Sequence, residues 1–151
     1  MALTLSSPAF GNNSDLPRQY TCDGDNVSPP LAWSDVPEGT AEMVLLLEDI
    51  DAPGGTQVYW VLFGLDPTAG GIEEGKAPAG AVCGKNDYGR TDWAGPCPPL
   101  GKSRRFSFTL LALAEPSGLA EGASPRNDLP YALSGKVLAQ AQLTAKYARR
   151  R

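Results

Sequence analysis

The chain has 151 residues, with 17 acidic side chains against 13 basic ones and a formal net charge of -4. This length suits a single domain over residues 1–151, and a hydrophobic fraction of 42% is ordinary for a globular protein and too high for a disordered one. The lack of a basic stripe argues against nucleic acid as a partner, and the lack of histidine excludes Ser-His-Asp and Cys-His catalysis and histidine-bearing zinc sites.

Three segments have the pattern of buried β-strands. Residues 41–47 form a short apolar run, and residues 58–65 are rich in β-branched and aromatic side chains. Residues 105–114 alternate with a period of two, and their second face also becomes apolar. The 17 glycines and 14 prolines are scattered along the chain and favour short elements. We therefore expect a mainly β fold in which these three strands pair in a central sheet.

The C-terminal region is predicted to be helical. Leu133, Val137, Ala141 and Ala145 are four residues apart, which would place them on one face of a helix from residue 133 or 134 to about Tyr147. A shorter helical turn is expected to begin at residue 127 or 128, because a proline such as that at position 130 is tolerated in the first turn of a helix.

Two long segments, 66–93 and 95–103, are predicted to be irregular, and loops of this length often carry function. Segment 95–103 ends in Gly-Lys-Ser like a nucleotide-binding loop. However, five residues rather than four separate its first glycine from the Gly-Lys pair, and its three prolines remove backbone N–H donors. We expect a rigid wall here and no nucleotide.

Acidic residues cluster where the first predicted strand ends. Glu48, Asp49 and Asp51 are either solvated turn residues or the start of a site, and the spacing leaves both interpretations open. Asp49 and Asp51 would face the same side if the strand continued that far. A carboxylate pair in that position could orient donors around a pocket.

The three cysteines, Cys22, Cys83 and Cys97, are too few for a disulfide scaffold and lack the spacing of a structural zinc site. We expect no metal and no cofactor. No apolar run approaches the length of a membrane span, and the first residues lack the pattern of a secretory signal. The sequence is thus expected to be cytoplasmic, without stable membrane insertion, and it leaves the oligomeric state open.

Six short motifs occur in the order and spacing of the phosphatidylethanolamine-binding protein family, and the chain most resembles its prokaryotic, Raf kinase inhibitor-like branch. The resemblance extends from about Phe10 to Tyr147. It implies antiparallel β-sheets in a sandwich, with a few peripheral helices including a C-terminal one, and a small pocket for anions. The motifs are Tyr20-Thr21-Cys22-Asp23-Gly24, Ser28-Pro29-Pro30-Leu31, Asp49-Ile50-Asp51-Ala52-Pro53, Tyr59-Trp60, Asn86-Asp87-Tyr88-Gly89 and Gly95-Pro96-Cys97-Pro98-Pro99, followed by Arg104-Arg105-Phe106.

The resemblance also implies which residues line the pocket. The first Asp of the family's Asp-Pro-Asp-Ala-Pro motif matches Asp49, its Gly-x-x-Pro-Pro-like loop matches residues 95–99, and the Arg of its His-Arg-Tyr triplet matches Arg105. This chain departs from the family at both pocket histidines and at the triplet tyrosine, and it has Ile50 where the family has a proline. The predicted ligand-binding residues are Asp49, Tyr59, Gly95, Pro96, Arg104 and Phe106, where Tyr59 and Arg104 replace the histidines and Phe106 replaces the tyrosine.

The altered pocket has two interpretations. Arg104 offers five N–H donors and Tyr59 one hydroxyl, so an anion could still bind in an open pocket. In the alternative, Arg104 pairs with Asp49 and seals the pocket.

The resemblance favours a binding protein for a small anionic or polar ligand that also regulates a partner, since family members are described as kinase or protease inhibitors. No catalytic residue is assigned. The alternative function is an enzyme that cyclises or isomerises a small metabolite with Asp49 as base, Tyr59 as acid and Arg104 as a fixed cation.

The resemblance further implies that the loops containing Cys22 and Cys97 fold toward the pocket, which would bring these cysteines within disulfide range and leave Cys83 unpaired. A cytoplasmic setting favours the reduced form of both thiols.

Overall fold

The computed structural model describes residues 2–76, 81–124 and 128–149, and strands dominate those ranges. In chain order the strands are β1 (Thr4–Ser6), β2 (Ser14–Asp15), β3 (Leu31–Ser34), β4 (Glu42–Asp49), β5 (Gln57–Leu65), β6 (Gly71–Ile72), β7 (Val82–Cys83), β8 (Ser103–Leu113) and β9 (Val137–Ala148). A 3-10 helix spans Arg18–Tyr20, and one α-helix, α1, spans Leu129–Leu133.

The strands form two sheets. The small sheet has the order β1-β3-β6, and the large sheet has the order β2-β9-β8-β4-β5-β7. Neighbours in both sheets are antiparallel except β2 and β9, which are parallel. The predicted central sheet is confirmed, because β8, β4 and β5 correspond to the three strands expected from the sequence and lie side by side.

The main core lies between the two sheets. Met43, Leu45 and Leu47 alternate along β4 and pack in one buried cluster with Leu5 and Trp33 of the small sheet. The opposite face of the large sheet holds a second, smaller cluster that includes Val44, Phe63 and Leu113, and α1 covers it through Leu129. Burial on both faces explains why these strands read as nearly continuous apolar runs.

The mainly β fold class is confirmed, but the extent of the C-terminal helix is wrong. The α-helix is the short element Leu129–Leu133, preceded by Asp128 and with Pro130 in its first turn. This agrees with the shorter helical turn, although residue 127 lies outside the described residues. Most of the segment predicted as the main helix, from residue 133 or 134 to about Tyr147, is instead strand β9, which pairs with β8 along its length.

The four-residue spacing fits the period of a strand as well as that of a helix, because positions four apart share a face in both. The spacing alone therefore did not identify a helix. Ala139, Ala141, Leu143 and Ala145 alternate along β9 and pack in the main core. Leu138 and Gln140 are exposed, and so is Val137 at the start of the strand. The alternation was therefore visible in the sequence. Hydrogen bonding to β8 outweighs the helical preference of the alanines.

Two leucines on opposite faces of β9 test this assignment. Leu143 is buried and Leu138 is 46% exposed. We expect Leu143→Ala to lower the free energy of unfolding in urea by about 2–5 kcal/mol, because it leaves a cavity in the main core. The matched change Leu138→Ala should lower the free energy of unfolding far less. Equal losses at the two positions would contradict a strand with these two faces.

Candidate ligand-binding site

The centre of the candidate site is an ion pair between Asp49 and Arg104. Asp49 is the last residue of β4 and is fully buried, and Arg104 is the second residue of β8 with a side chain 14% exposed. Arg104 Nη1 donates to Asp49 Oδ2 at 3.0 Å, and the Asp51 amide donates to Asp49 Oδ1 at 3.0 Å. Both carboxylate oxygens of Asp49 therefore have a donor, as a buried charge requires.

Next to this buried pair lies a second, exposed one. Arg105 binds Asp51 through Nε to Oδ2 at 3.0 Å and Nη2 to Oδ1 at 2.8 Å, and its amide also donates to Oδ2 at 2.8 Å. These hydrogen bonds lower the pKa of the Asp51 carboxyl below its usual value. The two acids do not form one carboxylate pair, because β4 ends at Asp49 and consecutive arginines on β8 bind them separately.

Aromatic rings form the interior beside the ion pair. Tyr59 is 2% exposed and makes edge-to-face contacts with Phe106 at 5.5 Å and with Tyr88 at 5.4 Å between ring centroids. Burial, a hydrogen bond with Tyr88 and the charge of Asp49 raise the pKa of Tyr59 above its usual value. The phenol is thus neutral at physiological pH. Phe106 is fully buried and packs edge-to-face against Tyr59.

Tyr88 is a site residue that the sequence analysis did not assign. It belongs to the turn 86–89, whose Asn86 side chain is buried and donates to the Tyr59 carbonyl at 3.0 Å. The side-chain oxygen of Asn86, Oδ1, in turn accepts from the amides of Tyr88 and Arg90, each at 3.0 Å. This fixed turn holds the half-exposed Tyr88 ring over Tyr59. The Asn-Asp-Tyr-Gly motif carried the signal, but its role requires a contact that is distant in sequence.

Gly95 and Pro96 lie against a different loop, which contains Tyr20 and Asn26. A side chain at position 95 would collide with Asn26 Oδ1 and approach the Tyr20 carbonyl, so the close packing requires glycine. The carbonyl of Pro96 accepts a hydrogen bond from the Cys22 amide at 3.3 Å. The segment with Gly95 and Pro96, the predicted wall, is therefore held to the loop that contains Tyr20 and Asn26.

Cys22 and Cys97 join these two loops covalently. They form a disulfide with a Cα–Cα distance of 5.4 Å, and Cys83 is a free thiol. The expected proximity of the two cysteines is confirmed, whereas the expectation that they stay reduced is wrong for this structure. A cytoplasmic location had been assumed for that expectation, and the sequence gives no direct measure of the redox environment.

A chain of contacts connects the disulfide with the ion pair. Arg104 lies opposite Tyr147 in the pairing of β8 with β9, and the Tyr147 hydroxyl donates to Asp23. Asp23 follows Cys22 and also accepts from Arg149 Nε at 3.0 Å. Of the predicted site residues, Asp49, Arg104, Tyr59 and Phe106 are thus grouped directly, while Gly95 and Pro96 are connected to them through this second network.

The comparisons with known proteins fit this arrangement. The family model for phosphatidylethanolamine-binding protein matches residues 6–148. The chain belongs to the phosphatidylethanolamine-binding protein family. A UPF0098 protein of Methanothermobacter thermautotrophicus is 41% identical, over 97% of this chain and 99% of the relative. The Mycobacterium tuberculosis protein LppC, whose name describes it as a lipoprotein, is 40% identical over 89% of this chain and 69% of the relative.

Solved structures of this family share the fold. The crystal structure of CT736 from Chlamydia trachomatis, described as a homologue of the family, superposes with a TM-score of 0.92 at 33% identity over 98% of both chains. Escherichia coli YbcL, described as a new member of the mammalian family, gives a TM-score of 0.89 at 29% identity over 98% of this chain and 99% of YbcL. Family membership supports a small-ligand-binding protein.

Neither metal binding nor a membrane span is indicated by the described ranges. Among residues 2–76, 81–124 and 128–149, no three His, Cys, Asp or Glu side chains are grouped so as to hold a metal ion. No helix in the part of the chain that the structure describes is both long and apolar enough to cross a membrane.

The two consecutive arginines of this phosphatidylethanolamine-binding-family chain allow a matched test of the ion pairs. We expect Arg104→Ala to lower the free energy of unfolding by about 3–5 kcal/mol, because it leaves the buried Asp49 charge without its partner. Arg105→Ala removes the same side chain from an exposed pair and should change stability much less. Urea unfolding measures both, and a larger loss at Arg105 would contradict the assignment.

The disulfide should contribute measurably to stability because it closes a long loop. We expect dithiothreitol to lower the free energy of unfolding by about 2–4 kcal/mol. A Cys22→Ser/Cys97→Ser double variant should start from the lower value and not respond to the reductant. Cys83→Ala serves as the control and should retain the full response. If the double variant still responds to dithiothreitol, the effect does not come from this bond.

Proposed function

We propose that this protein binds a small anionic or polar ligand through Arg104, with Tyr59 and Tyr88 beside it. The observation that carries the proposal is the partial use of the guanidinium. Arg104 donates one hydrogen bond to Asp49 through Nη1, and a guanidinium has five N–H donors. Arg104 can therefore pair with Asp49 and still bind a ligand. The open and the sealed interpretations of the pocket thus do not exclude each other.

Charge sets the kind of ligand that fits. Asp49 neutralises Arg104, so an incoming anion meets no net positive charge, and its affinity for the remaining donors is expected to be weak. A polar molecule with a carbonyl, a carboxylate or a phosphoryl oxygen can use those donors without full charge compensation. The Tyr88 ring, 54% exposed, offers an apolar edge to the rest of such a ligand.

The same contacts favour binding over the enzyme alternative. A general base needs an available oxygen, and both oxygens of Asp49 already accept hydrogen bonds inside the protein. The pKa of Tyr59 is raised, so its phenol donates a hydrogen bond more readily than it transfers a proton near neutral pH. These groups are better suited to hold a ligand than to exchange protons with it.

Regulation of a partner protein remains part of the proposal. It is supported only by the resemblance to the Raf kinase inhibitor-like branch of the family. The cytoplasmic location also stays a prediction. The disulfide argues against it, since such bonds are rare in reducing compartments outside hyperthermophiles, and a lipoprotein relative points in the same direction.

A sulfate titration followed by NMR tests the proposed ligand site. We expect saturable shifts at the backbone amides near Arg104 and Asp49, with an affinity that changes by less than about twofold between pH 5.5 and 8. The reason is that sulfate and arginine keep their charges over this range, and the chain has no histidine. Arg104→Ala should abolish these shifts.

Two further variants keep this test independent of folding. The double variant Asp49→Asn/Arg104→Gln removes both charges together, so it leaves no unpaired buried charge and should also lose the sulfate shifts. Arg105→Ala is the control. It removes one positive charge next to the site, as Arg104→Ala does within it, and should leave the sulfate-induced NMR shifts in place. Absence of saturable shifts, or their survival in the double variant, would overturn the proposed function.

A further inference from the structure

A separate cleft lies across β9 from the candidate ligand-binding site, at the edge where β2 runs parallel to β9. Its volume is about 440 Å³, within the range of small-molecule sites. It shares no lining residue with the ion pair or the aromatic cluster. The cleft is lined by Asp15, Leu16, Arg18, Asp23, Lys146 and Tyr147.

The backbone of the cleft is fixed by hydrogen bonds. Leu16 donates its amide to the Lys146 carbonyl at 2.7 Å, and the parallel pairing places Asp15 beside Lys146. Arg18 Nε donates to the carbonyl of Asp23 at 2.9 Å, which joins the 3-10 helix to the loop that closes the cleft. The backbone that carries the lining residues is therefore fixed before any ligand arrives, and this lowers the entropic cost of binding.

The charges of the cleft fall into two groups. Asp23 is already occupied, because Tyr147 and Arg149 each donate to one of its carboxylate oxygens, and these contacts lower its pKa. In the described ranges, by contrast, the Arg18 side chain uses only its Nε, and the ammonium of Lys146 and the carboxylate of Asp15 make no ion pair. Arg18 also interacts electrostatically with Asp23. The groups that remain available to a ligand are therefore the Nη donors of Arg18, the ammonium of Lys146 and the carboxylate of Asp15.

From this arrangement we infer that the cleft binds a small zwitterion. Its anionic group lies between Arg18 and Lys146, since a guanidinium and an ammonium together suit a carboxylate, sulfonate or phosphate. Its ammonium group faces the carboxylate of Asp15. An amino acid or an aminosulfonate has both groups at a separation that a cleft of this volume accommodates.

A matched pair of probes tests the two halves of this inference. Taurine and ethanesulfonate carry the same sulfonate, and only taurine has an ammonium group. We expect taurine to shift the NMR signals of residues 15–18 and 146–148 in a saturable way, with an affinity at least about threefold higher than that of ethanesulfonate. Ionic strength is held constant, because exposed charges are screened by salt.

Variants then assign each contact. Lys146→Gln should lower the affinity for both probes by about threefold or more. Asp15→Asn should lower the affinity for taurine to that for ethanesulfonate. Lys85→Gln is the control, because Lys85 is an exposed lysine next to β7 at the other edge of the large sheet. The Asp49→Asn/Arg104→Gln variant should bind taurine in this cleft normally, which separates the outcome from that of the proposed function.

Three results would overturn the inference. The first is a linear, unsaturable response of residues 15–18 and 146–148 to taurine. The second is an equal effect of Lys85→Gln and Lys146→Gln, which would indicate general surface charge only. The third is equal binding of taurine and ethanesulfonate that Asp15→Asn does not change, because the cleft would then not recognise the ammonium group.

Discussion

The antiparallel pairing of β4 with β8 is the constraint on which the candidate site depends. The register runs from Glu42 opposite Leu113 to Asp49 opposite Phe106. It brings two consecutive arginines to the end of β4, where one meets the buried Asp49 and the other the exposed Asp51. A slip of one residue would exchange the faces of every side chain on β8, so the hydrophobic core that fixes the register also fixes the ion pairs.

The buried ion pair also determines how the protein responds to its surroundings. A buried charge pair is not required for stability as such, because a pair of apolar residues of similar size is often as good. In the proposed function, its role is to hold the Arg104 guanidinium at the edge of the core. Since the chain contains no histidine, the proposed site lacks an imidazole that could change its charge near neutral pH.

The loop that was predicted to form a wall of the site is held at two points. Cys97 bonds it to Cys22, and at its other end Gly101 donates to the Arg149 carbonyl at 2.8 Å while Arg149 donates to the Lys102 carbonyl at 3.3 Å. The prolines between these points restrict the backbone further. The same region connects the candidate ligand-binding site with the cleft at β2 and β9, because Asp23 follows Cys22 and anchors Tyr147 and Arg149.

The sequence by itself determined the fold class, the three central strands and the family, because apolar alternation and short ordered motifs are local properties of the chain. It also predicted that Asp49 and Arg104 lie near each other, by resemblance. The four-residue spacing within residues 137–148 did not distinguish strand from helix, because it satisfies both periods. The two-residue alternation there favours a strand, and pairing with β8 decides. The resemblance indicated that Cys22 and Cys97 lie close together. The formation of their bond, the role of Tyr88 and the cleft beside Lys146 depend on contacts between residues far apart in the chain. Such contacts leave no local pattern, so only the tertiary structure decided them.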